Sequence, residues 1–118
     1  MSYDLAVWEG DRPADDAAAL ETFRALYEQH IEAEELAPPS PRIQAYAQAL
    51  LDRYPDSTET AAEDSPWSTG PLIDNAIGPL IYFPMLWSRC EEVSAWAAQV
   101  AAEHGLVCYD PQLERLRP

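Results

Sequence analysis

The sequence of 118 residues contains no lysine, and its basic side chains are seven arginines against 21 aspartates and glutamates. The formal net charge is therefore −14. A surface of this sign repels phosphate backbones, which argues against a nucleic-acid-binding protein. The same field attracts cationic molecules and speeds their association, so the composition favours a basic protein as the partner. The alternative interpretation is that the charge only keeps the protein soluble.

Glycine, cysteine and histidine are also scarce, with four, two and two residues. Four glycines without G-x-G-x-x-G or P-loop spacing exclude the usual nucleotide-binding loops. Cys90, Cys108, His30 and His104 form no metal-ligand spacing, and we predict neither a metal site nor a cofactor. Two cysteines do not make a disulfide framework, so we expect reduced, buried thiols in a cytoplasmic protein.

Long apolar segments are missing as well. No run approaches the roughly 18 apolar residues of a membrane span, and the first residues lack the basic and apolar regions of a signal peptide. We therefore expect no membrane segment. The length fits one domain over residues 1–118, and hydrophobic residues, at 47%, are numerous enough for one core.

Strand and helix signals alternate along the chain and predict an α+β fold. The predicted elements are a strand at 3–8, helices at 13–36 and 40–54, hairpin strands at 72–73 and 80–83, a helix at 88–105 and a strand at 106–109. Pro84 indicates that the second hairpin strand ends, bends or lies at an edge there. The order is a ferredoxin-like βαββαβ arrangement with an extra helix at 40–54, in an antiparallel sheet covered by helices on one face.

Two segments are predicted to lie outside the core. Residues 56–70 are mostly polar and acidic and indicate an exposed loop, and residues 112–118 form a short, partly loose tail. Trp67 lies in the loop between Pro66 and Ser68. Two interpretations of it stay open: a partly exposed binding hot spot, or an anchor that tucks the loop onto the core.

The candidate partner-binding residues are two groups of carboxylates together with Trp67. The first group lies at the C-terminal end of the predicted helix 13–36, where the helix dipole disfavours negative charge. A recognition surface would explain such a group, and a solvated helix end is the alternative. The second group lies in the acidic loop. The candidates are Glu32, Glu34, Glu35, Asp56, Glu59, Glu63, Asp64 and Trp67.

Catalytic residues are not predicted. His30 and His104 lie near predicted helix C-termini, where the dipole favours a positive charge. Cys90, in the first turn of the last helix, or Cys108 would make a Cys–His pair with His104. No orienting third group or oxyanion-binding feature accompanies that pair, so we predict a protein that is not an enzyme.

Three segments carry a family resemblance: MSYDL at residues 1–5, FPMLWS at 83–88 and HGLVCYDPQ at 104–112. They resemble a family of small proteins, common in GC-rich bacteria, with an MSYDL start and an HGL…(Y/F)DPQ end. The resemblance implies no catalytic residues. In size and acidity the members of that family are similar to immunity proteins of bacterial toxin systems.

The expected function is therefore non-catalytic protein binding, by an immunity-type antitoxin that occludes a cationic partner, such as a toxin domain, through an acidic face. The alternative is a small ligand-binding or regulatory module that acts as a homodimer. An enclosed apolar pocket with a few convergent polar groups would favour that alternative over a flat acidic face.

Overall fold

The computed structural model describes residues 2–32, 36–55, 66–68 and 71–117. Within these residues a five-stranded antiparallel sheet carries three α-helices. The elements in chain order are β1 Ser2–Trp8, α1 Asp16–Leu26, α2 Pro41–Arg53, β2 Ala76–Ile77, β3 Leu80–Leu86, α3 Cys90–Glu103, β4 Val107–Asp110 and β5 Arg115–Leu116. A π-helical turn, Tyr27–Ile31, extends α1. None of the described helices has the length and apolar character needed to cross a bilayer.

The strands lie in the order β2-β3-β1-β4-β5, each antiparallel to its neighbours. β3 separates β1 from β2, α2 precedes β2, and α3 connects β3 to β4. Without α1 the elements run βαββαβ, the split arrangement of the ferredoxin-like fold. The predicted α+β class is confirmed. The extra helix, however, is α1 and not the helix at 40–54, since α2 is the crossover between β1 and β2.

The prediction that helices cover one face of the sheet is wrong, because α1 packs on the opposite face from α2 and α3. Ala6 and Trp8 of β1 belong to the core beneath α1. Leu5 and Val7 belong to the core beneath α2 and α3. The apolar runs of β1 and β3 are continuous, and a strand that is buried on both faces requires that pattern.

Capping residues set the starts of two helices. The Oδ1 atom of Asp15 accepts from the backbone N–H of Ala18 at 2.8 Å at the start of α1. The hydroxyl of Ser40 accepts from the backbone N–H of Ile43 at 3.3 Å, and Pro41 occupies the first turn of α2. Both caps satisfy backbone donors that a helix start otherwise leaves unpaired. The predicted cap of α2 is thereby confirmed.

Three helix boundaries differ from their predictions. α1 begins at Asp16 and not at Pro13, and the π-helical turn that follows it ends at Ile31, earlier than the predicted end near Leu36. α3 begins at Cys90 after a 3-10 turn, and its N-cap Arg89 makes no side-chain capping bond. Ser88 and Glu91 have the S-x-x-E spacing that predicts a helical N-cap, but in the structure Ser88 lies in the 3-10 turn.

The hairpin lies later in the chain than predicted. Leu72 and Ile73 belong to a 3-10 turn, Leu72–Asn75, and the first hairpin strand is Ala76–Ile77. Gly78 and Pro79 form the two-residue turn between β2 and β3. Gly78 has a φ of 54°, and a positive φ at this position is what two-residue hairpin turns need.

Residues 111–117 of the tail pack against the sheet. Residues 111–114 form a turn that brings β5 back against β4. The backbone N–H of Arg117 donates to the carbonyl of Cys108 at 2.8 Å. The backbone N–H of Leu116 donates to the Oδ1 atom of Asp16 at 2.9 Å, which ties the tail to the start of α1.

Two fully buried tyrosines differ in their hydrogen bonding. The hydroxyl of Tyr46 donates to the backbone carbonyl of Ala97 at 2.9 Å. The hydroxyl of Tyr109 is buried and has no partner among the described groups. A buried hydroxyl without a partner loses its hydration and gains no bond in exchange.

We predict that Tyr109→Phe raises the free energy of unfolding by about 1 kcal/mol, because it removes an unpaired buried hydroxyl. Tyr46→Phe removes a made bond from an equally buried ring and should lower the same quantity by about 1 kcal/mol. Urea unfolding of the two variants and the wild type measures both changes. If both variants lost the same stability, the hydroxyl of Tyr109 would have to make a hydrogen bond in the folded protein.

Candidate functional site

A buried carboxylate at the end of β4 is the most polar feature of the interior. Asp110 has no exposed surface. Its Oδ2 atom accepts from the hydroxyl of Tyr3 and from the Nη2 atom of Arg117, the latter at 3.2 Å. Its Oδ1 atom accepts from the backbone N–H groups of Gln112 and Leu113 at 3.1 and 3.2 Å. Residues of the first strand and of the tail therefore both bind the carboxylate of Asp110.

Arg117 extends this network to α3. Its Nη2 atom donates to the hydroxyl of Ser94 at 3.0 Å and lies 3.4 Å from that of Tyr3. The carbonyl of Arg117 accepts from the Nη1 atom of Arg12 at 3.0 Å. The Nε atom of Arg117 is buried without a partner among the described groups. The ion pair with Asp110 thus neutralises the guanidinium and fixes its position.

The tyrosine in this network is a hydrogen-bond donor and not a base. Burial first, and then the hydrogen bond and charge of Asp110, raise the pKa of Tyr3 to about 12. Its hydroxyl therefore keeps its proton at neutral pH. The network provides a rigid, neutralised floor and no group that is poised to take up a proton.

A groove of about 790 Å³ lies over this network. Its walls come from the start of β1, the 3-10 turn Trp87–Arg89, the first turns of α3 and the turn before β5. Trp87 and Leu113 stand on these walls with 52% and 55% of their surface exposed. The ring of Trp87 lies 5.8 Å from that of Tyr3, centroid to centroid. The groove therefore combines aromatic and aliphatic walls with a polar floor.

The charged side chains of the groove are largely paired. The Nε atom of Arg89 lies 3.2 Å from the carboxylate of Glu92, and its guanidinium sits 5.3 Å from the ring centroid of Tyr54. Glu91 is exposed and forms no ion pair with a described residue. The lining therefore has no excess of positive charge.

A second groove, of about 650 Å³, runs along α2. It is lined mainly by proline and small side chains, with Leu51 and the half-exposed Ile73, and by no charged residue. Both grooves are open to solvent rather than enclosed. Neither is the enclosed apolar pocket that would favour a ligand-binding module.

Of the predicted partner-binding residues, the structure describes two. Glu32 is exposed just after the π-helical turn that follows α1. Trp67 is described and is treated below. The remaining candidates lie outside the described residues: Glu34, Glu35, Asp56, Glu59, Glu63 and Asp64.

The interpretation of Trp67 as an exposed hot spot is wrong, because only 2% of its surface is exposed. Its Nε1 atom donates to the carbonyl of Tyr54 at 2.7 Å, and its ring packs against Phe83. It also bridges to Met85 of β3. The alternative interpretation, an anchor on the core, is confirmed. Pro66 is buried beside it, so this part of the predicted exposed loop packs on the sheet.

The described ends of the two predicted acidic groups lie at opposite ends of the sheet. His30, just before Glu32, lies against Gly78 at the start of β3. The described residues that flank the acidic segment, Tyr54 and Trp67, are joined by a hydrogen bond, and Trp67 pairs with the far end of β3. The described residues therefore do not join the two groups into one face.

Two of the side chains considered for a Cys–His pair, Cys108 and His104, have surroundings that do not activate a thiol. Burial raises the pKa of the Cys108 thiol to about 12, so the thiol keeps its proton at neutral pH. The Nδ1 atom of His104 lies 2.9 Å from the carbonyl of Val100 at the end of α3. Cys90 and Cys108 are both buried and free, as predicted. Within the described part of the chain, no three metal-ligating side chains lie together.

The sequence prediction missed the groove and its floor. Asp110 followed by Pro111 indicates a strand-ending turn, and the bonds of the Oδ1 atom of Asp110 fit it, but the pattern does not show the partners of its Oδ2 atom. The position of Trp87 between two predicted elements indicates a packing residue, whereas half of its surface is exposed. A usable signal was present, because two large apolar residues, Trp87 and Leu113, fall in segments that belong to no predicted strand or helix.

Comparisons with protein-family models, with curated proteins and with solved structures find no match for this chain. The family resemblance of its ends therefore stays a prediction.

We predict that Asp110→Asn lowers the free energy of unfolding by about 3 kcal/mol, because it breaks an ion pair whose carboxylate is fully buried and leaves the part-buried guanidinium of Arg117 without its counter-charge. Glu114→Gln removes one negative charge from the turn that follows, where the side chain is exposed, and should change stability by less than about 0.5 kcal/mol. Urea unfolding at neutral pH compares the two. Similar effects of both variants would show that Asp110 contributes only to net charge.

A second prediction concerns alkaline pH. The pKa of Tyr3 rises on folding from 10.0 to about 12, so its contribution to stability is complete below pH 10 and is lost as the pH rises toward 12. Between pH 10 and pH 12 the free energy of unfolding of the wild type should fall as the pH rises. In Tyr3→Phe the slope of that fall should be smaller, by the equivalent of up to about one bound proton. Other buried groups with raised pKa values, such as Cys108 and Tyr46, are present in both proteins. Equal slopes of unfolding free energy against pH in the two proteins would contradict the raised pKa of Tyr3.

Proposed function

We propose that this protein is a non-catalytic, cytoplasmic binding protein of the immunity or antitoxin type, which sequesters a cationic protein partner. The observation that carries the proposal is the surplus of solvent-accessible carboxylates. Of the acidic side chains that the structure describes, Asp110 alone is buried. The basic residues pair with three of these carboxylates, those of Glu9, Glu92 and Asp110. The remaining negative charge attracts a cationic surface and speeds encounter with it.

The acidic surface is best described along α1. Asp15, Asp16 and Glu21 are exposed on this helix, and Glu28 is exposed on the π-helical turn that follows. Arg24 is the single basic residue between them. The apolar side of α1 is fixed against the sheet by Phe23 and its neighbours, so the carboxylates face outward. This surface differs from the predicted one, which joined the end of the helix to the acidic loop.

The alternative function, a homodimeric ligand-binding module, has less support. Its expected enclosed pocket is not among the described cavities, since both grooves are open. The edge strands of the described sheet, β2 and β5, are two residues each. Such short edges offer few backbone groups for pairing with a second copy. The two buried, free cysteines fit a reducing compartment, which supports the proposed cytoplasmic location.

The test uses a partner captured at low salt from a lysate of the source strain and then purified. Capture alone does not support the proposal. We predict that replacing Glu21, Glu28 and Glu32 with Gln lowers the association rate constant for that partner roughly tenfold at low salt, with a small effect on dissociation. The wild-type rate should itself fall steeply with added salt. Stopped-flow or surface-based kinetics measure both constants.

The matched control removes the same amount of charge elsewhere. Asp52→Asn, Asp74→Asn and Glu103→Gln together neutralise three exposed carboxylates on or near α2 and α3, on the opposite side of the sheet. This control should slow association much less. Equal slowing by the two triple variants would contradict a localised acidic surface, and a partner without salt-dependent association would contradict the electrostatic proposal altogether.

A further inference from the structure

Two exposed apolar residues of the described chain lie together at one groove. Four large apolar side chains are exposed among the described residues, and two of them, Trp87 and Leu113, line the groove over Asp110. Of the other two, Ile73 lines the groove along α2, and Leu36 lines neither groove. An indole with half of its surface in water forgoes the hydrophobic stabilisation that burial would give it. Exposed apolar surface rimmed by polar groups is typical of interaction sites.

The polar groups of the floor beneath these residues are bonded to one another, except the buried Nε atom of Arg117, which has no partner among the described groups. The Nη2 atom of Arg117 is held by Asp110 and Ser94, and Tyr3 donates its hydroxyl to Asp110. A ligand that used these groups would first have to break bonds around a buried charge, which is costly. Recognition in this groove therefore falls to its walls and rim.

The charge of the groove favours a positive occupant. Its two arginines, Arg89 and Arg117, are each paired with a carboxylate. Glu91 adds an exposed carboxylate that no described residue neutralises. The balance of the lining residues and the buried Asp110 is one negative charge, within a protein whose net charge is −14. An anionic occupant would oppose both the local and the overall charge.

We infer that this groove docks a segment of the cationic partner in which an apolar side chain stands next to a lysine or arginine. The inference rests on the proposed function and names the contact surface within it. The apolar side chain packs between Trp87 and Leu113. The cationic group lies over the exposed indole face or pairs with Glu91 at the rim.

The composition of the groove matches that of binding hot spots. Tryptophan, tyrosine and arginine dominate such spots, and Trp87, Tyr3 and Arg89 all line this groove. The tilted contact between the rings of Trp87 and Tyr3, with centroids 5.8 Å apart, holds the indole in place before a partner arrives. The indole that serves as the apolar anchor is therefore Trp87, in place of the predicted Trp67.

The test follows the tryptophan indole N–H signals of the full-length, ¹⁵N-labelled protein by NMR. The probe is a short acetylated peptide that alternates Lys and Leu, and the comparison is a peptide of the same length that alternates Glu and Leu. Trp87→Phe identifies the signal of Trp87. We predict that this signal shifts and saturates with the Lys–Leu peptide and does not respond to the Glu–Leu peptide. The signals of the buried Trp8 and Trp67 should stay in place.

Matched variants separate the groove from the rest of the surface. Leu113→Ala should weaken binding of the Lys–Leu peptide roughly tenfold, from the loss of apolar contact area. Leu36→Ala removes an equally exposed leucine elsewhere and should have no effect. Glu91→Gln should weaken binding about threefold, whereas Glu103→Gln at the other end of α3 should not.

The inference is overturned if the Trp87 signal ignores the Lys–Leu peptide, if it responds equally to the Glu–Leu peptide, or if the control variants weaken binding as much as the groove variants. The two proposals fail separately. Once the natural partner is purified, Leu113→Ala should speed its dissociation. If Leu113→Ala leaves dissociation unchanged while the Glu21, Glu28 and Glu32 variant still slows association, the groove proposal alone is refuted. If Leu113→Ala speeds dissociation but the triple variant does not slow association, the acidic-surface proposal alone is refuted.

Discussion

The buried carboxylate of Asp110 is the constraint on which the arrangement of both chain ends depends. A charge without exposed surface is tolerated only when donors surround it, because an unpaired buried charge costs several kcal/mol. The donors come from the first strand, through Tyr3, and from the tail, through Arg117 and two backbone N–H groups. The tail of a small domain would ordinarily fray. Here detachment of the tail would remove Arg117 and two backbone donors from the buried carboxylate of Asp110. The short strand β5 is held in place as a result.

The same network determines what the groove above it is able to recognise. Because Arg117 is neutralised from below and held by Ser94, it offers little free charge to a ligand. Selectivity then depends on side chains of the groove that lie outside this network. They are the indole of Trp87, the side chain of Leu113 and the carboxylate of Glu91. A rigid polar floor with adaptable walls suits a protein segment, because contact area can form without reorganising the interior.

Local rules predicted the elements, and long-range contacts decided the rest. The cap of α2 was predictable because Ser40 and Pro41 act within one helical turn. The class was predictable because the apolar runs and breaks lie in short windows. The two-sided sheet is also indicated by the apolar runs of β1 and β3, although β1 alternates weakly, as a strand with one solvent-exposed face does. The Asp110 network was not predictable, since Tyr3 and Asp110 are 107 residues apart in sequence. Trp67 has polar sequence neighbours, and its burial depends on contacts with Tyr54, Phe83 and Met85 that local sequence does not show.

The carboxylates at the far end of the acidic surface, Glu28 and Glu32, lie well away from the groove, and the two sites make different contributions to binding. The π-helical turn after α1 lies near Gly78, just before β3, and Trp87 follows the last residue of that strand. Seven residues of strand span about 23 Å, which exceeds the Debye length of about 8 Å at physiological ionic strength. A cation seated in the groove therefore feels little of the charge at the end of α1. That charge acts while the partner is approaching at many orientations, so it governs the rate of encounter. The lifetime of the complex depends on short-range contact, and short-range contact of an apolar kind is available beside Trp87. Carboxylates that are distant from the anchor, such as Glu28 and Glu32, thus raise the rate of capture without tightening the bound state, and salt should act on their contribution to association far more than on dissociation.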